Sequence, residues 1–194
     1  MIYVYIPKTD LSRFKISMMR KTISAFLLGF VLISCKKEVS ALPDNTQTGA
    51  NTFGATVNGQ LWAPQGFGPF PADNLLEARK LGQDIMINAR NFASSPNETE
   101  FEIYLGHVTE TGMYNLNVNT VEGSFSGNYG YFVKRNLTPY NEWITSSLFT
   151  GSVTLTRYDT TARIISGNFQ FNALNLYNAP DTLRVTNGRF DLKF

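Results

Sequence analysis

The chain has 194 residues, of which 43% are hydrophobic and only 16% are charged. This length is typical of one domain, and this composition can bury a sizeable core, which excludes disorder over most of the chain. The formal charge is +2, but residues 1–34 hold five bases and one acid, so the 12 bases and 14 acids that follow give −2. A weakly acidic body lacks the basic stripe that neutralises phosphates, so nucleic acid is not expected as a partner.

The first 34 residues have the pattern of a secretory signal. A basic pair at residues 20–21 precedes residues 22–34, an apolar run of about a dozen residues that is too short to span a bilayer. The run ends in Leu-Ile-Ser-Cys, which resembles the bacterial lipobox. That resemblance implies cleavage between Ser34 and Cys35 and attachment of lipid to the Cys35 sulfur.

Cys35 is the only cysteine of the chain, so an intramolecular disulfide, a thiolate zinc site and a redox pair are all excluded. We predict that the mature protein begins at Cys35 and is held in the outer membrane by lipid. Stable anchoring takes at least two acyl signals, and the lipid that the lipobox implies would supply them. The alternative is an ordinary buried thiol. Residues 1–17 make the basic region unusually long, which favours a translation start at Met18 or Met19.

The rest of the chain divides by composition into a short linker and one domain. Residues 35–51 contain few large apolar side chains and are predicted to form the lipidated cysteine and a polar tether. Residues 52–194 are predicted to form a single β domain, because apolar residues there recur at every second position.

Asn58-Gly59 is the strongest hairpin signal of this domain. A type I′ turn there would place Val57 opposite Gln60 and Ala55 opposite Trp62. Trp62 is accordingly expected in the core.

Turns rich in glycine, asparagine and proline separate the other predicted strands. These strands lie at residues 76–79, 84–90, 101–105, 114–118, 153–157, 165–171 and 183–194. The strand at 101–105 is expected to turn through residues 110–112 and to form a hairpin with the strand at 114–118. Apolar residues of the last strand change from odd to even positions, which predicts a bulge at Asn187-Gly188. Residues 73–81 are the one stretch that fits a short helix. The fold class is therefore all-β, an antiparallel β-sandwich or partly open β-barrel with at most one short helix.

Four segments together resemble an uncharacterised family of Bacteroidota lipoproteins with a domain of unknown function. They are residues 53–62, 151–156, 165–171 and 185–191, which carry F-G-x-x-V-N-G-x-x-W and ISGxFxF…TxGRFD patterns. The resemblance implies a lipobox, a tether and a β body, and it implies no activity or ligand. In that group, lysine followed by acidic residues after the cysteine accompanies surface export. Residues 36–38 match this pattern in part, so the membrane face stays open.

Catalytic and metal-binding patterns are weak in this chain. His107 is the only histidine, and residues 123–127 have phenylalanine where a nucleophile elbow needs serine. Glu98, Glu100 and Glu102 alternate along one strand, at intervals of about 7 Å, a spacing that a cation site or a glycosidase would tolerate. A solvated strand face is the favoured interpretation, and we predict no catalytic residue, metal or cofactor.

Aromatic side chains near residues 127–143 are the candidate ligand contacts, because this stretch reads as a long loop or edge hairpin. The candidates are Tyr129, Tyr131, Tyr140 and Trp143.

We therefore expect a membrane-anchored lipoprotein of the bacterial cell envelope that acts as a non-catalytic binding or structural module. Its expected partners are the membrane, through the lipid on Cys35, and a glycan or an envelope protein. Two alternatives remain, a small hydrolase of envelope glycans and a surface assembly subunit. Converging acids near residues 98–102 would favour the hydrolase, and a long unprotected edge strand would favour assembly.

Overall fold

The computed structural model describes residues 39–66, 74–93, 98–119, 127–135 and 141–194. The strands in these residues are β1 (Thr52–Val57), β2 (Gln60–Trp62), β3 (Leu76–Leu81), β4 (Asp84–Asn91), β5 (Glu98–Leu105), β6 (Gly112–Leu116), β7 (Tyr129–Arg135), β8 (Asn141–Ile144), β9 (Gly151–Asp159), β10 (Ile164–Asn175) and β11 (Thr182–Lys193). Within the same residues, no helix is long and apolar enough to cross a membrane.

The strands form one antiparallel sheet in the order β2-β1-β11-β10-β8-β7-β5-β4-β3. β10 is the branch point of this sheet. One of its edges pairs with β11 along most of its length, while the other pairs first with β9 and then, at Leu174 and Asn175, with β8. β6 adds to the far side of β9. The sheet curls into a half-barrel, which confirms the predicted all-β class.

Two predicted local features are confirmed in detail. Asn58 and Gly59 have φ values of 47° and 83°, as a type I′ turn requires, and the strands pair in the predicted register. Asn187-Gly188 forms a bulge against both neighbouring strands, because β11 has one residue more than β1 and β10 at this point. A Cβ on Gly188 would lie 2.5 Å from the Phe169 ring, so the bulge needs glycine for space.

Three predicted features differ from the structure. The segment that fitted a short helix is strand β3 from Leu76 onward, paired along its length with β4. The expected hairpin between the strands at 101–105 and 114–118 does not form, because β5 lies between β4 and β7 and β6 pairs with β9. The described parts of residues 127–143 belong mainly to strands β7 and β8, which lie inside the sheet.

The inner face of the sheet is filled by aromatic and aliphatic side chains. Phe101 lies at its centre, with its ring 4.7 Å from that of Trp62 and 4.8 Å from that of Phe132. Edge-to-face pairs of this kind add about 0.5–1.5 kcal/mol each beyond the burial of their surface. Phe53, Phe169 and Phe171 complete the cluster. In the described part of the chain, the surfaces that a ligand could reach are therefore the outer face of the sheet and the strand ends.

Candidate functional site

The outer face of β4, β5, β7 and β8 carries a second cluster of buried side chains. Tyr104, Tyr129 and Ile144 are buried there, and Met86 and Tyr131 pack against them. These residues lie on the opposite side of the strands from the core because side chains alternate along a strand. The Tyr104 and Tyr129 rings stack at 5.4 Å. We call these five residues the outer cluster.

Two acids of β5 lie beside the outer cluster, and each is held by partners on neighbouring strands. Glu100 accepts hydrogen bonds from Arg90 Nε and Arg135 Nη2, both at 3.0 Å. Glu102 accepts from Asn88 Nδ2 at 3.0 Å and from the Tyr129 hydroxyl at 2.5 Å. The predicted alternation of acids along the strand is thus present, but both carboxylates serve cross-strand contacts.

Metal ligation finds no support in the described part of the chain, where no group of three or more histidine, cysteine, aspartate or glutamate side chains lies close enough to hold an ion. Glycoside chemistry needs two carboxyl groups free to exchange protons and attack. Glu100 and Glu102 are each bonded to side chains of neighbouring strands, so they do not provide two free carboxyl groups.

His107 occupies a turn rather than a catalytic arrangement. Its φ is 55° and its backbone N–H donates to Asp84 Oδ1 at 2.8 Å, while the other Asp84 oxygen accepts from Tyr104 at 2.6 Å. The hydrogen bond from Tyr104 and that from the His107 backbone lower the pKa of Asp84. Burial, reinforced by the bond to Asp84, raises the pKa of Tyr104 to about 12. Asp84 therefore stabilises the turn at His107 and holds the hydroxyl of Tyr104 in place.

The predicted aromatic contacts have less free surface than a loop would give them. Tyr129 is 4% exposed and Trp143 is 8% exposed, because both lie on interior strands of the sheet. Tyr131 is half-buried, and its pKa is raised by burial and by its hydrogen bond to Glu142. Tyr140 lies outside the described residues, as do the predicted cleavage and lipidation residues Ser34 and Cys35.

A cleft that the sequence did not reveal lies where β8 and β10 end, next to the outer cluster. Its volume is about 500 Å³, and its lining includes Glu142, Ile144, Ser146, Leu176 and Tyr177. We call it the β8–β10 cleft. Tyr177 is 68% exposed, one of the most exposed large apolar side chains in the described residues. A lone tyrosine in a turn has no periodicity, so no sequence pattern distinguishes it.

Asp191 is the most deeply buried acid of the described residues, with 1% of its surface exposed. Its carboxylate accepts hydrogen bonds from Thr46 Oγ1, Thr48 N, Gly49 N, Ala50 N and Ser166 Oγ, at 2.6–3.1 Å. Desolvation opposes its ionisation, but these hydrogen bonds outweigh it and hold the pKa of Asp191 well below its usual range.

The segment held by Asp191 belongs to the predicted tether. Pro43 packs on Gly54, and its carbonyl accepts from Arg189 Nη1 at 3.2 Å. Asn51 Oδ1 accepts from the Lys193 N–H at 3.2 Å. Residues 43–51 are therefore bound to β1 and β11, and the ordered body extends further toward the N-terminus than residue 52. Two polar side chains of the segment, those of Thr46 and Asn51, take part in these hydrogen bonds.

Comparison with known protein families places this geometry in a wider context. A family model described as a domain of unknown function (DUF6252) matches residues 79–191, more than half of the chain. The chain belongs to this family. No curated protein matches the chain, and no solved structure matches it. The region matched by DUF6252 includes the outer cluster, the β8–β10 cleft and Asp191.

Proposed function

We propose that this chain is a lipid-anchored lipoprotein of the bacterial cell envelope whose β domain is a non-catalytic binding module. The observation that carries the non-catalytic part is the pairing of the β5 acids with Arg90, Arg135, Asn88 and Tyr129. Side chains committed to cross-strand contacts stabilise a face and are poorly placed to exchange protons with a substrate.

The contacts of residues 42–51 with the domain limit how far the domain could stand from a lipid on Cys35. Only six residues, 36–41, separate Cys35 from Leu42, which contacts the domain at Gly54. The seven peptide units from Cys35 to Leu42 span at most about 25 Å when fully extended. A lipid on Cys35 would therefore hold the domain close to the membrane surface. The hydrogen bonds of Asp191 would transmit force on the tether to β11, which lies inside the sheet.

Cell fractionation tests the proposal. The chain is produced in a bacterium that processes lipoproteins, labelled with radioactive palmitate and separated into soluble and membrane fractions. The unaltered protein is expected in the membrane fraction with label. Cys35→Ser should carry no label and leave that fraction, because the hydroxyl cannot replace the thiolate as nucleophile.

Ser34→Ala is the matched control, since alanine keeps the small residue before the cysteine. It should be labelled and retained like the unaltered chain. Equal membrane retention and labelling of Cys35→Ser would contradict the proposal.

A further inference from the structure

The β8–β10 cleft has the physical features of a small-ligand site. Its volume of about 500 Å³ lies within the range of roughly 300–1,000 Å³ typical of such sites. Ile144 and Leu176 give it an apolar wall, and Glu142 and Ser146 give it polar groups. A concave surface with a few polar groups on an apolar background is the common form of a binding pocket.

The loop that carries Tyr177 is fixed before any ligand arrives. Asn175 is 2% exposed, and its Oδ1 accepts from the backbone N–H groups of Tyr177 and Asn178 at 2.9 and 3.2 Å. Its Nδ2 donates to Asp181 Oδ2 at 2.9 Å, and the Asn175 N–H donates to the Asp181 carbonyl at 2.9 Å. One buried amide therefore ties both ends of the loop together and presents Tyr177 to solvent at little further entropic cost on binding.

A second turn held by its own hydrogen bonds also contributes to the cleft lining, through Ser146. Ser146 Oγ accepts from the Leu148 and Phe149 N–H groups at 3.3 and 3.1 Å, and the Ser146 N–H donates to the Phe149 carbonyl at 2.8 Å. Leu148 is 87% exposed. Two rigid turns thus expose one large apolar side chain each, and both turns border the same cleft.

We propose that the β8–β10 cleft binds a neutral oligosaccharide, with Tyr177 as the stacking platform and Glu142 as a hydrogen-bond acceptor for sugar hydroxyls. This inference rests on the proposed binding function and names its ligand class. A pyranose ring presents an apolar C–H face that packs on an aromatic ring, and its hydroxyls suit carboxylate and amide partners.

Charge selects a neutral sugar over an acidic one. The lining includes the carboxylate of Glu142, and Asp181 lies in the adjoining loop, whereas no lysine or arginine lines the cleft in the described residues. A uronate or sulfated sugar would bring like charges together without a compensating cation, which is unfavourable.

Calorimetric titration of the intact protein in detergent micelles tests this assignment. The probes are cellotetraose, maltotetraose and mannotetraose as neutral sugars and tetragalacturonate as the acidic one. At least one neutral sugar should bind. Tyr177→Ala should weaken that binding on the order of tenfold or more, Glu142→Gln should weaken it less, and Tyr177→Phe should keep it.

Met113→Ala is the matched control, because Met113 is also 68% exposed but lies on β6, away from the cleft lining. It should bind like the unaltered protein. Circular dichroism of each variant checks that the fold is retained.

Three outcomes would overturn the inference: no neutral sugar binds, only tetragalacturonate binds, or Tyr177→Ala binds as tightly as Met113→Ala. The failures of the two proposals are separable. Lipidated Cys35 without sugar binding overturns this inference alone, whereas sugar binding by a protein with an unmodified Cys35 overturns the anchoring alone.

Discussion

Thr46 Oγ1 donates a 2.6 Å hydrogen bond to Asp191 Oδ2 across a separation of 145 residues in sequence. The contact joins the segment after the predicted lipidation residue to the final strand, which lies between β1 and β10 in the sheet. Backbone N–H groups of Gly49 and Ala50 complete the cradle. The carboxylate is thus satisfied without an arginine or lysine among its described hydrogen-bond partners, which explains how a charge can be buried here.

Asp191→Asn should lower the free energy of unfolding at pH 7 by about 2–4 kcal/mol, since the amide loses the charge and turns a donor toward other donors. The folded pKa of Asp191 lies below its unfolded value, which is roughly 3.9. Its contribution is therefore complete above that unfolded pKa and is lost as the pH falls toward the folded pKa. Urea unfolding at pH 7 and at lower pH measures both effects.

Asp44→Asn makes the same chemical change at an exposed position of the same segment. It should have the same free energy of unfolding as the unaltered protein at pH 7, because the Asp44 side chain is exposed. The role of Asp191 in binding residues 46–50 would be refuted if the free energy of unfolding of Asp191→Asn fell with decreasing pH as steeply as that of Asp44→Asn.

Asp84→Asn should bring the pKa of Tyr104 down toward its ordinary value of roughly 10. Burial raises the pKa of Tyr104 in both proteins, but the variant lacks the Asp84 carboxylate, which contributes to the pKa of about 12 in the unaltered protein. Because the folded pKa of Tyr104 is raised, its contribution to stability is complete below the unfolded pKa and is lost as the pH rises toward the folded value. Ultraviolet titration of tyrosinate, compared between the variant and the unaltered protein, measures the shift, and identical alkaline curves would contradict it.

Glu100 should couple more strongly to Arg90 than to Arg135. Arg90 has 22% of its side chain exposed against 48% for Arg135, so solvent screens its ion pair less. Double-mutant cycles by urea unfolding should place both couplings within about 0.2–1 kcal/mol, the Arg90 coupling being the larger.

The Arg79–Glu77 pair provides the reference for this cycle. Arg79 is 52% exposed, and the pair lies on the edge strand β3. Its coupling should be the weakest of the three. If the coupling energy of Arg79–Glu77 were the largest of the three, the geometry of the ion pairs would outweigh solvent screening, and the prediction would be wrong.

Local signals in the sequence predicted the features that a few neighbouring residues determine. Asn58-Gly59 tolerates the positive φ values of a tight turn, and the change of apolar positions between Val185 and Phe190 requires a bulge. In both places the chemistry of adjacent residues determines the backbone, so no knowledge of distant partners is needed.

Features that depend on distant pairing could not be derived in the same way. β5 lies beside β7, and nothing near residues 101–105 indicates that partner. The alternation of glutamates predicts that they share one face of β5, but the neutralisation of Glu100 depends on the cross-strand positions of Arg90 and Arg135. The polarity of residues 43–51 suited a free linker equally well, because Asp191 lies far away in sequence.

The candidate cleft was missed for a related reason. The density of aromatic residues near residues 127–143 predicts ligand contacts there, but packing between strands buries Tyr129 and Trp143. Tyr177 stands alone in its turn, and its exposure results from the hydrogen bonds of Asn175. Exposure of a single aromatic residue is a tertiary property and leaves no periodic pattern in the sequence.

The mass of the N-terminal peptide, measured by mass spectrometry on protein extracted from the membranes of its native cells and digested, tests the central proposal most directly. The expected peptide begins at Cys35 and carries a diacylglyceryl group on sulfur and an acyl chain on the amine. An unmodified thiol at Cys35, or a peptide in which residues 1–34 are still attached, would contradict it.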